Sequence, residues 1–78
     1  MEKEKIINKI VDLLISNWGE ATEKHKKEIE DNISLYSSDY VKHFIQINNI
    51  VLTQDEIDDI IQKVIENFER CWKWTLQK

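Results

Sequence analysis

Apolar residues recur along this chain at the spacing of a helix face, in four separate stretches. In the first, residues 4–18, they are Ile6, Ile7, Ile10, Val11, Leu13, Leu14, Ile15 and Trp18. At about 100° of rotation per residue, these positions cover about half of the helix circumference. A helix with a single neighbour has no use for so wide a stripe. The element is therefore either central in the fold or turns part of its face toward a second copy of the chain. Gly19 follows as the expected stop or kink, because glycine takes a left-handed backbone without steric cost.

The second stretch, residues 20–36, is sparsely apolar, with His25, Ile29, Ile33 and Tyr36 on one face. Its first half is nearly all charged. Glu20/Lys24 and Glu23/Lys27 stand four residues apart with the acid first, each pair worth about 0.2–0.5 kcal/mol. Ser37, Ser38 and Asp39 are helix-capping residue types, so a short third helix is expected over residues 39–48. It would turn Tyr40, Val41, Phe44, Ile45 and Ile47 inward and end at Asn48 and Asn49. A β-hairpin over residues 44–53 competes with it, because an Asn-Asn pair tolerates the positive φ of a tight turn. Helix is preferred, since an isolated two-stranded ribbon is marginal in water.

The last stretch carries the clearest signal. Thr53 with Glu56 three residues on forms a capping box, and Leu52 with Ile57 fits a hydrophobic staple. From there Ile57, Ile60, Ile61, Val64, Ile65, Phe68, Cys71, Trp72 and Thr75 keep to one face. At about 1.5 Å per residue, a helix over residues 54–76 is about 35 Å long. The pattern predicts an all-α fold: a small three- to four-helix bundle or array in one domain, residues 1–78, with helices about 4–18, 20–36, 39–48 and 54–76. The stripes of the first and last helices are the natural packing partners.

Composition sharpens this in places. One Gly and no Pro in 78 residues remove the usual punctuation of loops and favour long helices with short joints. Cys71 is the single cysteine, so no intrachain disulfide forms. One Cys with His25 and His43 fits no closed zinc site, and neither metal nor cofactor is expected. A lone thiol suits a reducing cytosol, and no run of about eighteen apolar residues suggests a membrane span, so the expected location is the cytoplasm. A net charge of −4 argues for solubility more than for any ligand. Thirteen Ile with abundant Lys and Asn resemble the codon bias of an AT-rich genome, such as that of a low-GC bacterium or its phages.

The candidate chemistry lies on the last helix. Asp55, Glu56, Asp58 and Asp59 crowd its first turns, where negative charge meets the positive end of the helix dipole. The same acids could dock a basic surface. On the polar side Lys63, Asn67, Arg70 and Trp74 line up, and Trp and Arg are the residue types most enriched at interface hot spots. Cys71 and Trp72 fall on the apolar stripe and are expected in the core. No nucleophile with a base, metal cluster or phosphate loop is visible, so no enzymatic activity is expected. The expected function is a protein-binding module, homodimeric, in one sub-case a phage or mobile-element regulator that inhibits a host protein. Its contacts would be Trp74, Arg70, Lys63 and Asn67, or Asp55, Asp58 and Asp59. A nucleic-acid or nucleotide binder using Lys63, Arg70, Lys73 and Trp74 is the alternative, against which a sequence pI of about 5.1 weighs. A structural subunit of a larger helical assembly is a third reading.

Overall fold

A computed structural model describes residues 2–76 of the chain, with side chains through Cys71. The expectation of an all-α fold holds. Four helices follow one another, α1 (Lys3–Glu20), α2 (Glu23–Asp31), α3 (Ile33–Ile47) and α4 (Gln54–Leu76), with no strand among the described residues. The molecule measures 37 × 19 × 17 Å, and its long dimension matches the span of α4, about 35 Å for its 23 residues.

Side-chain pairings give the helix directions. Lys3 meets Asp59, and Trp18 packs edge-on against Phe68 at 6.2 Å between ring centroids, so α1 and α4 run in the same sense. Asn17 donates to the Tyr40 hydroxyl while Leu13 shares a groove with Phe44, so α3 runs antiparallel to α1. The frame is thus an up-down-up arrangement of α1, α3 and α4, with the short α2 set into the first connection. The core is formed by Ile6, Ile7, Ile10, Val11 and Leu14 of α1, Ile29 of α2, Ile33 and Val41 of α3, and Ile60, Val64 and Phe68 of α4. Helix α1 touches all three others, and its most extensive contact is with α4. That resolves the width of its stripe: the helix is central, and Leu13 is the apolar residue of the stripe left outside, at 52% exposure.

The helix boundaries depart from the sequence reading in three places. Helix α1 runs through Gly19 to Glu20 and ends at Ala21, whose N–H donates to the Trp18 carbonyl at 3.2 Å. Gly19 has no positive φ and neither stops nor kinks the helix. Residues 20–36 do not form one helix. Thr22 caps α2 by accepting from the His25 N–H at 3.2 Å, and Asn32 closes α2 and opens α3 at φ −118°, ψ 33°. Glu20 and Lys24 therefore belong to different helices, and the acid–base contacts that form on α2 are Glu23 with Lys26 and His25 with Glu28. Ser37, Ser38 and Asp39 are not a cap, since they lie inside α3, four to six residues past its start at Ile33, with Ser37 fully buried. The break at Asn32 is only one residue long, so Ile29 and Ile33 still face the core as a continuous stripe.

The hairpin alternative fails for a legible reason. Asn49 does take positive φ, at 53°, but it does so as the residue just past the α3 C-cap Asn48. The Asn49 N–H donates to the Gln46 carbonyl at 3.3 Å and the Ile50 N–H to the Ile45 carbonyl at 3.0 Å, the two bonds of a Schellman motif. The Asn48 side chain adds a bond to the Phe44 carbonyl at 2.9 Å. At the start of α4 the capping box forms as the sequence predicts: Thr53 Oγ1 accepts from the Glu56 N–H at 3.2 Å, and Glu56 accepts from the Thr53 N–H at 3.2 Å and hydroxyl at 3.0 Å. Leu52 and Ile57 are half-buried against the core, as a staple requires.

Candidate functional site

The acids at the start of α4 separate into different environments. Glu56 belongs to the capping box, and Asp58 accepts from the Gln54 side chain at 2.9 Å. Asp59 pairs with Lys3 at 2.8 Å, tying the beginnings of α1 and α4 together. The Lys3 hydrogen bond holds the Asp59 carboxyl below its ordinary range; loss of water opposes this, and the charges of Lys3 and Lys63 add to it. Asp55 and Asp58 remain exposed.

On the polar side of α4, exposed Lys63 and half-buried Asn67 line a shallow polar groove with Lys3, Glu4, Ile7 and Asn8 of α1. Arg70 is exposed and does not line it. The expected contact surface of Trp74, including any stacking of Arg70 on its ring, lies outside the described residues, as does the side chain of Trp72. Cys71 is a correction: it stands on the apolar stripe but is exposed. The reason is length. Phe68 already meets Trp18 near the end of the 18-residue α1, so Cys71 lies past the helix that would cover it.

A different surface, not singled out from the sequence, is more developed. Helices α1 and α3 leave between them an open apolar groove of about 500 Å³, lined by Leu13, Asn17, Asp39, Tyr40, His43, Phe44 and Ile47. Half-buried Tyr40 and Phe44 form its floor, while Leu13 and Ile47, at 52% and 62% exposure, stand on its walls. The Asn17–Tyr40 hydrogen bond joins its two helices. A shallower hollow with Lys9, Asp12 and Ser16 continues it along α1, sharing Leu13 and Phe44. From Asp39 to Ile47 the groove follows α3 for eight residues, about 12 Å or a little over two helical turns. The signal was present in the sequence as the excess width of the α1 stripe, whose extra residue is Leu13.

Asp39 and His43 stand four residues apart in this groove, with no hydrogen bond joining them among the described residues. No group of three or more His, Cys, Asp or Glu among the described residues is placed to hold a metal ion, and no helix there is long and apolar enough to cross a membrane. Compared with known proteins, the chain matches no family model, no curated protein and no solved structure.

Proposed function

We propose that the chain is a non-enzymatic protein-binding domain that takes one amphipathic helix of a partner protein into the α1–α3 groove. One observation carries this reading: two large apolar side chains, Leu13 and Ile47, flank an aromatic floor that no segment among the described residues covers. A groove between two helices is the usual seat of a third, read through anchors about three, four and seven residues apart, and a length of about two turns suits three such anchors. Two of the charged residues along its rim, Asp12 and Asp39, are acidic, beside the single Lys9. With a net charge of −4 on the chain, that balance favours a partner helix with basic flanks over a second copy. Regulation of a host protein by a phage or mobile-element product in the cytoplasm remains the biological setting that the Ile-, Lys- and Asn-rich composition suggests.

The test compares wild type with Leu13→Asp and Ile47→Asp. Both positions are exposed, so both variants are expected to keep the helical circular dichroism and melting temperature of the parent. A partner captured from the source cell by wild type and identified by mass spectrometry should be lost with either variant. Full retention by both would remove the groove from the interface. Light scattering across micromolar concentrations separates the homodimer: self-association abolished by the same variants would make the occupant a second copy.

The polar groove at Lys3, Asn8, Lys63 and Asn67 favours a second reading, in which α1 and α4 together hold an anionic group such as a nucleic-acid phosphate. Glu4 in the same groove and the Asp59–Lys3 pair beside it offset the cations. An electrophoretic shift at low salt decides, and absence of any shift retires this reading.

A further inference from the structure

Helix α2 differs from the other three in how it is held. It has nine residues, fewer than the roughly 12–15 that an isolated helix needs even for marginal stability, and it buries one side chain, Ile29. Its backbone approaches α1 and α3 but not α4. Both of its ends are short breaks in the helical path: Ala21 and Thr22 are extended, at φ −77°, ψ 157° and φ −67°, ψ 162°, and the single residue Asn32 sits at φ −118°, ψ 33°. Between these two points the chain can swing by changing a few dihedrals, without unwinding α1 or α3.

What fastens α2 is concentrated on one side chain of α1. The Trp18 indole N–H donates to Glu30 Oε2 at 2.8 Å, in a partly buried setting, and Lys26 Nζ lies over the Trp18 ring, 5.0 Å from its centroid. Trp18 also packs edge-on against Phe68, which belongs to the α1–α4 core. Trp18 is thus shared between a core contact and a fastening that involves two charged residues of a helix whose one buried side chain is Ile29.

We propose that α2 is a strap that opens as a unit about Thr22 and Asn32 while α1, α3 and α4 stay packed, with the Glu30–Trp18 hydrogen bond as its latch. Opening uncovers the outer face of Trp18 together with the flank of the core that Ile29 covers. Contiguous elements with few buried contacts open at lower free energy than the whole molecule, and this helix meets that description where the other three do not.

Hydrogen exchange read amide by amide by NMR tests the strap on the intact chain. In wild type, hydrogen-bonded amides of residues 27–32 should exchange at least about tenfold faster, after correction for intrinsic rates, than those of Ile10, Leu14 and Val64. Glu30→Ala should speed the α2 amides several-fold more and leave the α1 and α4 amides unchanged. Glu30→Gln keeps an acceptor for the indole N–H and should return most of the protection. Equal protection of α2 and the core would overturn the proposal, since α2 would then open only when the chain unfolds. Acceleration of every helix alike by Glu30→Ala would do the same, and acceleration by Gln equal to that by Ala would remove the hydrogen bond as the latch.

Discussion

Ser37 occupies the middle of the buried seam of α3, between Ile33 and Val41, fully shielded and with no hydrogen-bond partner for its hydroxyl among the described residues. An uncompensated buried hydroxyl costs about 1–3 kcal/mol, and alanine is also the better helix former. Ser37→Ala should therefore raise stability by about 1 kcal/mol, visible as a melting temperature higher by roughly 4–8 °C in a domain of this size. A lower melting temperature would mean that the hydroxyl is engaged in the folded chain. Asp59 supplies a second residue-scale outcome. Its folded carboxyl titrates below the ordinary carboxylate range because of Lys3, so the stability it contributes is complete above the unfolded value, near pH 4, and is lost as pH falls through the depressed folded value. Lys3→Ala should move the Asp59 titration upward, followed by NMR, and make the loss of stability on the acid side of pH 4 shallower. An unchanged Asp59 titration would break the assignment of Lys3 as the cause.

At the scale of the element, capping chemistry was readable wherever its residues stand at a fixed offset. Thr53 and Glu56 form their box because the reciprocal bonds need nothing but three residues of spacing. Ser37-Ser38-Asp39 misled because the same residue types also fit a helix interior when a neighbour supplies the burial, and Asn32, the last of three polar residues between Ile29 and Ile33, gave little sign of the true break. Thr22 was a capping type in the right place, but the strong i, i+4 charge pattern around it read as one continuous helix. Gly19 was a stop signal that the chain does not use. A Cβ added there would meet nothing within 4 Å among the described residues, and its backbone is already helical, so Gly19→Ala should stabilise the fold by about 0.5–1 kcal/mol in denaturant melts. A destabilised Gly19→Ala would indicate that the end of α1 needs the freedom of glycine after all.

On the scale of the whole molecule, the decisive feature is the central position of α1. Leu13 and Leu14 are neighbours in sequence and equal in hydropathy, yet Leu14 is fully buried and Leu13 is half in water. Leu14→Ala should cost about 2–5 kcal/mol, as truncation of a packed leucine does, whereas Leu13→Ala should fall within about 0.5 kcal/mol. Chemical denaturation of both variants checks the pair, and similar losses would mean that the α1–α3 groove is filled by the chain itself. The groove was only half legible for the same reason: the sequence announced an α1 stripe too wide for one neighbour, but not which of its residues the neighbours would leave uncovered.

Local order alone determined that this chain is helical, where α4 begins and which faces of α1 and α4 are greasy, because periodicity and capping are set by residues within a turn or two of one another. Tertiary structure decided the burial of Ser37, the exposure of Cys71, the division of residues 20–36 into two helices and the opening between α1 and α3. Those depend on where one helix ends beside another, and a hydrophobic pattern measures angles around an axis without recording how far the neighbouring axis extends.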